Sequence, residues 1–182
     1  IIGIFSLTAC STVPGETKAE QLQTIDQLVD NTLADLYEQT PQARAQIESS
    51  VGYAIMNNKI TKIPVVGAGA GYGVAINSKN QQRQYIKMVR FDVGGGWGAR
   101  SVRPVIIFND EQVFNDFIDG IWSVNAGAEA AAKVGDVGTS AGADTGDAGN
   151  DKGYITHMIT DKGVSATVTA GIIRVKPITL KE

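Results

Sequence analysis

Glycine at every second position is the feature that most constrains this chain. After Val65 the odd positions are Gly67, Gly69, Gly71 and Gly73, while the even ones are Val66, Ala68, Ala70, Tyr72, Val74 and Ile76. Residue type that changes with every step has a period of two, which predicts a β-strand. A second run, Gln84 to Arg100, keeps the same beat and ends in Gly94, Gly96 and Gly98 on one side, with Gly95 and Trp97 on the other. Two strands each carry a bald face. Glycine inside a strand loses entropy on folding and gives neighbours nothing to pack against, so a run of it marks close backbone approach or sharp curvature.

A phosphate cradle is the other use of such glycines, and spacing decides against it. Gly94, Gly96 and Ala99 satisfy G-x-G-x-x-[G/A], but that fingerprint works only where a strand turns into a helix whose N-terminus faces the anion. Here the β-rich stretch Val102 to Phe108, with Pro104 inside it, follows at once. No G-x-x-x-x-G-K-[ST] occurs either, so nucleotide binding is excluded.

The remaining pieces fall around this block. Glu16 to Gln39 carries Leu22, Ile25, Leu28, Val29, Leu33, Leu36 and Tyr37 at helical spacing, with Glu20, Asp26, Asp30, Asp35 and Glu38 on the opposite face. Membrane-surface helices favour Lys and Arg on the polar side, so this helix is expected to pack on the domain. Thr40 and Pro41 read as an N-cap and first helical residue of a short helix ended by Gly52. A strand from Tyr53 to Met56 and a polar turn at Asn57 and Asn58 follow. Asn77 to Asn80 suits a hairpin turn between the two glycine-bearing strands, and Val105 to Phe108 a short strand. Asn109, with Gln112 three residues on, predicts the cap of a helix that buries Val113, Phe114, Phe117 and Ile118 and stops at Gly120. Trp122 to Ala132 alternates again. Gly135 to Gly153 reads as a long loop whose Asp136, Asp144, Asp147 and Asp151 match no calcium-loop spacing. Tyr154 to Thr160 and Val164 to Lys176 read as closing strands about a turn at Asp161 to Gly163. The expected fold is α+β: a strongly curved, mostly antiparallel sheet, or a small barrel or sandwich, with two or three helices packed outside.

At 182 residues the chain is one domain in size. Its net charge of −3 is small, and the totals give no reason to expect nucleic-acid binding. The distribution says more. Residues 11 to 50 hold seven acids and two bases, residues 51 to 108 hold eight bases against the single Asp92, and residues 109 to 162 hold ten acids and three bases. Positive charge is concentrated on the glycine-rich block.

The opening Ile1 to Cys10 is apolar but far too short to span a bilayer. It reads as the end of a secretory signal. Leu7-Thr8-Ala9-Cys10 resembles the bacterial lipobox, in which the cysteine becomes the lipidated first residue of the mature protein. Cys10 is the only cysteine of the chain, and residues 11 to 16 read as a tether to a single domain over residues 17 to 182. Acyl chains on Cys10 would hold that domain by hydrocarbon burial, at roughly 0.8 kcal/mol per CH₂. Ser11 rather than Asp after the cysteine favours the periplasmic face of the outer membrane, by the same resemblance.

His157 is the sole histidine, and no H-E-x-x-H, G-x-S-x-G or C-x-x-C is present. No enzyme, metal or cofactor is expected. The candidate site is the basic set Lys59, Lys62, Arg83, Lys87, Arg90, Arg100 and Arg103, which would attract anionic lipid head groups if gathered on one surface. The opposite parity of Lys87 and Arg90 puts those two on opposite faces. The competing expectation is that these residues pair with the acidic helices.

The order of the pieces resembles the SYLF domain, found in eukaryotic endocytic proteins and bacterial envelope proteins. The resemblance is carried by Val51-Gly52-Tyr53-Ala54-Ile55, Gly67 to Gly73, Gly94 to Ala99 and Val105 to Asp110. Phe117, Gly120-Ile121-Trp122, the alanines from Ala126 to Ala132 and Asp161-Lys162-Gly163 also fit. It covers roughly residues 40 to 177. It implies a non-catalytic lipid-binding module. The lipobox and the basic, glycine-rich block add the expectation of a lipoprotein that binds phospholipid or another envelope component, and the alternative is a structural or protein-interaction lipoprotein with the lipid only as tether. Eukaryotic members bind phosphoinositides and some bind actin filaments through a basic N-terminal segment. Because the leading helix here is acidic, neither of those partners is expected.

Overall fold

A computed structural model describes residues 13–62, 66–93, 98–121, 123–132, 141–142, 153–160 and 166–181. Helix α1 (Lys18–Gln39) and the short α2 (Ala43–Ser49) precede strands β1 (Gly52–Lys62), β2 (Val66–Asn77), β3 (Arg83–Val93) and β4 (Gly98–Phe108). Helix α3 (Glu111–Ile118) and strands β5 (Ser123–Ala132), β6 (Ala141–Gly142), β7 (Tyr154–Thr160) and β8 (Ala166–Pro177) complete the chain. The strands form one antiparallel sheet in the order β6-β5-β8-β3-β2-β1-β4-β7. Among the described residues its edge strands β6 and β7 do not pair, so the expected curved sheet is found and is not closed into a barrel.

The glycines of β2 are where the sheet curls. A methyl group on Gly73 would run into the Ile55 carbonyl oxygen and lie 2.8 Å from Met56 Cα; one on Gly71 would run into the Asn57 carbonyl and lie 2.9 Å from Asn58 Cα. The backbone of β1 occupies the space where side chains would stand. Strands β1 and β3, which flank β2, approach within 8 Å at their closest, less than the roughly 9.6 Å of two flat strand spacings. Curling brings far strands together: α3 touches both β4 and β8, four spacings or about 19 Å apart in a flat sheet and wider than a helix.

Each face of the sheet has its own core. On the outer face Tyr53, Ile55, Val74, Ile76, Val105 and Ile107 pack against Ile25, Leu28, Val29 and Leu36 of α1 and Ile47 of α2. On the inner, glycine-bearing face Met56, Ile86, Met88, Ile106 and Phe108 pack against Phe114 and Phe117 of α3. Phe108 meets both phenylalanines edge-on or tilted, with ring centroids 5.4 and 4.9 Å away. Two helices therefore lie outside the curl and the third plugs it.

Several sequence boundaries move. The run Gln84 to Arg100 is not one strand: β3 ends at Val93 and β4 begins at Gly98. Both arms of a hairpin have period two, so alternation alone does not mark the reversal; Gly94 to Trp97 lie outside the described residues. Asn57 and Asn58 do not turn but continue β1, because β2 pairs with them on one side, and Asn58 also pairs with Val102 of β4 on the other. Pairing of β1 with β4 runs as far as Ile55↔Val105 and resumes at Asn58↔Val102, with Pro104, which has no N–H to give, in the gap. Thr40 does not cap α2, whose first residue is Ala43 and whose N-cap Gln42 makes no side-chain bond. The cap of α3 is Asp110, whose carboxylate accepts from Val113 N–H at 3.0 Å, not Asn109. The closing strands β7 and β8 do not pair with each other but with β4 and with β3 and β5. Most of the long loop, including its four aspartates, lies outside the described residues.

Candidate functional site

Strand register decides which basic residues meet. Tyr85 belongs to the outer-face core while Ile86 and Met88 belong to the inner one, so Arg83, Lys87, Val89 and Phe91 of β3 all stand on the outer face. By the same alternation Lys59 and Arg103 lie there too, opposite Ala70 and beside Ile159 respectively. Four of the seven expected residues thus share one face. Two more cations join them that sequence reading passed over: Lys176 directly opposite Lys87, and Arg174 directly opposite Val89. Their signal was present in the alternation of β8, but nothing in the sequence tells which strand β8 adjoins. Lys62, Arg90 and Arg100 are placed by backbone alone, opposite Gly67, Gly69 and Ile60.

Helix α1 divides these cations into two groups. It starts at a capping box in which Glu20 N–H donates to Thr17 Oγ1 at 3.2 Å and the Glu20 carboxylate accepts from Thr17 N–H. From there it crosses the outer face with its apolar stripe on the sheet, and two of its acids, Asp26 and Asp35, reach arginines of the sheet from the edge of that stripe. Asp26 takes Arg83 at 2.5 Å, and Asp35 takes Arg103 at 2.7 Å, with the Arg103 side chain only 15% exposed. The hydrogen bond to Asp26 raises the Arg83 pKa further. These two arginines serve to orient α1. Among the described residues Lys59, Lys87, Arg174 and Lys176 have no carboxylate partner.

The strip between these cations is small and partly apolar. Ala68 is exposed, and Phe91 across from it is 60% exposed, one of two large hydrophobic side chains so placed among the described residues. The other is Ile121, just after α3. A polar ladder crosses the same rows: Ser101 Oγ donates to Asn57 Oδ1 at 3.3 Å, and Asn57 Nδ2 donates to Tyr72 Oη at 3.3 Å.

The segment expected as a tether is docked from Val13 on. Val13 is buried, and Gln21, also buried, donates from Nε2 to the Val13 carbonyl at 2.9 Å while its Oε1 accepts from Lys181 N–H at 2.9 Å. One glutamine thus ties both ends of the described chain to the start of α1. Sequence reasoning missed it because a glutamine in a helix signals nothing by itself. Cys10 lies outside the described residues; it is three residue steps from Val13, a reach of at most about 11 Å.

His157 stands on β7 with Nε2 2.9 Å from Gln46 Oε1 of α2, and burial lowers its pKa. It is a packed histidine held by one amide. On the inner face Asn58 is fully buried, and neither amide atom has a hydrogen-bond partner among the described residues. The space beside it is taken by the crowding of β1 on Gly71. Among the described residues no group of three or more His, Cys, Asp or Glu could hold a metal ion, and no helix is long and apolar enough to cross a membrane.

No protein-family model matches the chain. A curated relative, beta cell expansion factor A of Aeromonas veronii, is 27% identical over 149 residues, which cover 82% of this chain and 54% of the relative. The chain spans about half the length of that relative.

Proposed function

We propose that this chain is a lipid-anchored, non-catalytic module of the bacterial envelope that rests its outer sheet face on anionic phospholipid head groups. The observation that carries the reading is the set Lys59, Lys87, Arg174 and Lys176, cations without carboxylate partners among the described residues, on the face that also exposes Phe91. Near an anionic surface each such cation contributes about 1 kcal/mol, and an exposed aromatic ring adds apolar burial at the head-group level. The lipobox-like Leu7 to Cys10 supports the anchor. Docking of Val13 supports close approach, because an acyl chain on Cys10 would leave the domain about 11 Å of slack at most. SYLF-like lipid binding and a periplasmic, outer-membrane location belong to this proposal.

Unlipidated Cys10→Ser protein should co-sediment with vesicles containing phosphatidylglycerol at low salt, and release as salt rises. Co-sedimentation no greater than with neutral phosphatidylcholine vesicles would overturn the head-group reading. A second reading, protein docking with the lipid serving only as tether, is favoured by Ile121, a large apolar side chain that is 72% exposed between α3 and β5. It predicts that Ile121→Ser abolishes a cross-link to an envelope protein and leaves vesicle binding unchanged.

A further inference from the structure

The outer face of the sheet is a step. Helices α1 and α2 stand on one half of it, a layer about 10 Å high, and leave the other half bare. Three rows of residues cross the bare half, through Lys87, Val89 and Phe91 of β3. Its unpaired charges among the described residues, Lys59, Lys87, Arg174 and Lys176, are all positive. Lys87 and Lys176 are moreover direct cross-strand partners, and like charges so placed destabilise a sheet unless an acid lies against them. The helix layer is charged the other way, with seven acids against two bases between residues 16 and 49. Opposite its buried stripe, α1 presents Gln23, Gln27, Asp30, Ala34 and Glu38, all exposed and three or four positions apart, which makes one ridge. Asp30 and Glu38 on that ridge have no cationic partner among the described residues.

We infer that a second copy of this chain covers the bare half, the two copies meeting outer face to outer face with the α1 ridge of each laid across the cations of the other. A two-fold axis along the border between the covered and bare halves exchanges them, so one turn brings each helix layer down into the other copy's step and closes the assembly at two. The dimensions fit. The bare half is roughly 24 Å wide over β8, β3, β2, β1 and β4 and roughly 20 Å long over its three rows, and α1, with 22 residues, is about 33 Å long. Each copy contributes the bare patch once and the ridge once, which reaches the roughly 800 Å² per partner of a specific interface. The ridge is polar and the contacts are charged, so this is a salt-sensitive dimer, with its charges setting specificity. The pairing does not rest on the head-group reading. It engages the same cations, so an anionic membrane and a second copy compete for one face.

The test is sedimentation equilibrium of Cys10→Ser protein without lipid, at low salt and at about 0.5 M salt. A dimer should form at low salt, with a Kd that rises at least about tenfold at high salt. Asp30→Lys with Glu38→Lys should raise the low-salt Kd at least about tenfold, and so should Lys87→Glu with Lys176→Glu, circular dichroism confirming that both variants fold. Mixed in equal amounts, the two variants should pair as tightly as the parent, because each ridge then meets a sheet patch of opposite sign. A parent that stays monomeric at low salt would overturn the inference, as would a dimer indifferent to both reversals or a mixture that remains monomeric. No membrane enters these measurements, so their failure leaves the head-group reading standing, and failure of vesicle binding leaves the dimer standing.

Discussion

Adding one methyl group at position 73 tests whether glycine is there to let backbones crowd. In Gly73→Ala the new Cβ would lie 2.8 Å from both Cα and Cγ of Met56 and run into the carbonyl of Ile55. Carbon atoms rest at about 3.5 to 4.0 Å, so β1 must retreat by the better part of an ångström. The Met56 side chain can turn aside, but the backbone yields less readily, because β2 pairs with both Ile55 and Met56 and β4 pairs with Ile55. Overpacking of this kind costs about 1 to 3 kcal/mol where side chains yield, and backbone resistance puts this site at the top of that range. Loss of glycine freedom in the unfolded chain returns about 0.4 to 1 kcal/mol. The net expectation is a loss of about 2 kcal/mol, or roughly 4 to 8 °C in Tm for a domain of this size. Urea titration followed by circular dichroism reads it, with Ala70→Ser, on the outer face of the same strand, as a control within about 0.5 kcal/mol of the parent. A Gly73→Ala protein as stable as the control would refute the claim that the glycines serve close backbone approach.

Other consequences follow from the same geometry. Gln21→Ala removes the partner of the Val13 carbonyl and of Lys181 N–H, and should lower stability by about 1 to 3 kcal/mol. Limited proteolysis should then cut near residues 13 to 16 before any other described segment. His157 has its pKa lowered by burial, so the folded state binds its proton less readily than the unfolded chain. Its penalty is absent above the unfolded value of about 6.5 and grows as pH falls from there toward the lowered folded pKa. His157→Gln should therefore flatten the decline in urea midpoint below pH 6.5, and an unchanged pH profile would count against a buried neutral imidazole.

What the sequence disclosed was periodicity; what it withheld was adjacency. The bald face of β2, the apolar stripe of α1 and the phenylalanines of α3 were readable because each is a local spacing, and all three pack as that spacing requires. Lys87 and Lys176 are 89 positions apart, and only the β3 to β8 pairing makes them neighbours. The acidic face of α1 was legible as acidic, but that Asp26 and Asp35 alone reach Arg83 and Arg103 depends on where the sheet lies beneath the helix. Asparagines at 57 and 58 mislead for a related reason: local preference for a turn loses to pairing with β2 at both and with β4 at Asn58. Caps proved least readable, since Asn109 and Asp110 both carry a suitable side chain and a single position separates right from wrong.

The central claim is that cations left without acids on the outer sheet face meet the membrane. Vesicle co-sedimentation of Cys10→Ser protein carrying Lys59→Glu, Lys87→Glu, Arg174→Glu and Lys176→Glu together tests it most directly, with circular dichroism to confirm folding. The expected result is loss of binding to phosphatidylglycerol vesicles down to the phosphatidylcholine background. A folded protein with all four charges reversed that still binds anionic vesicles as its parent does would contradict it.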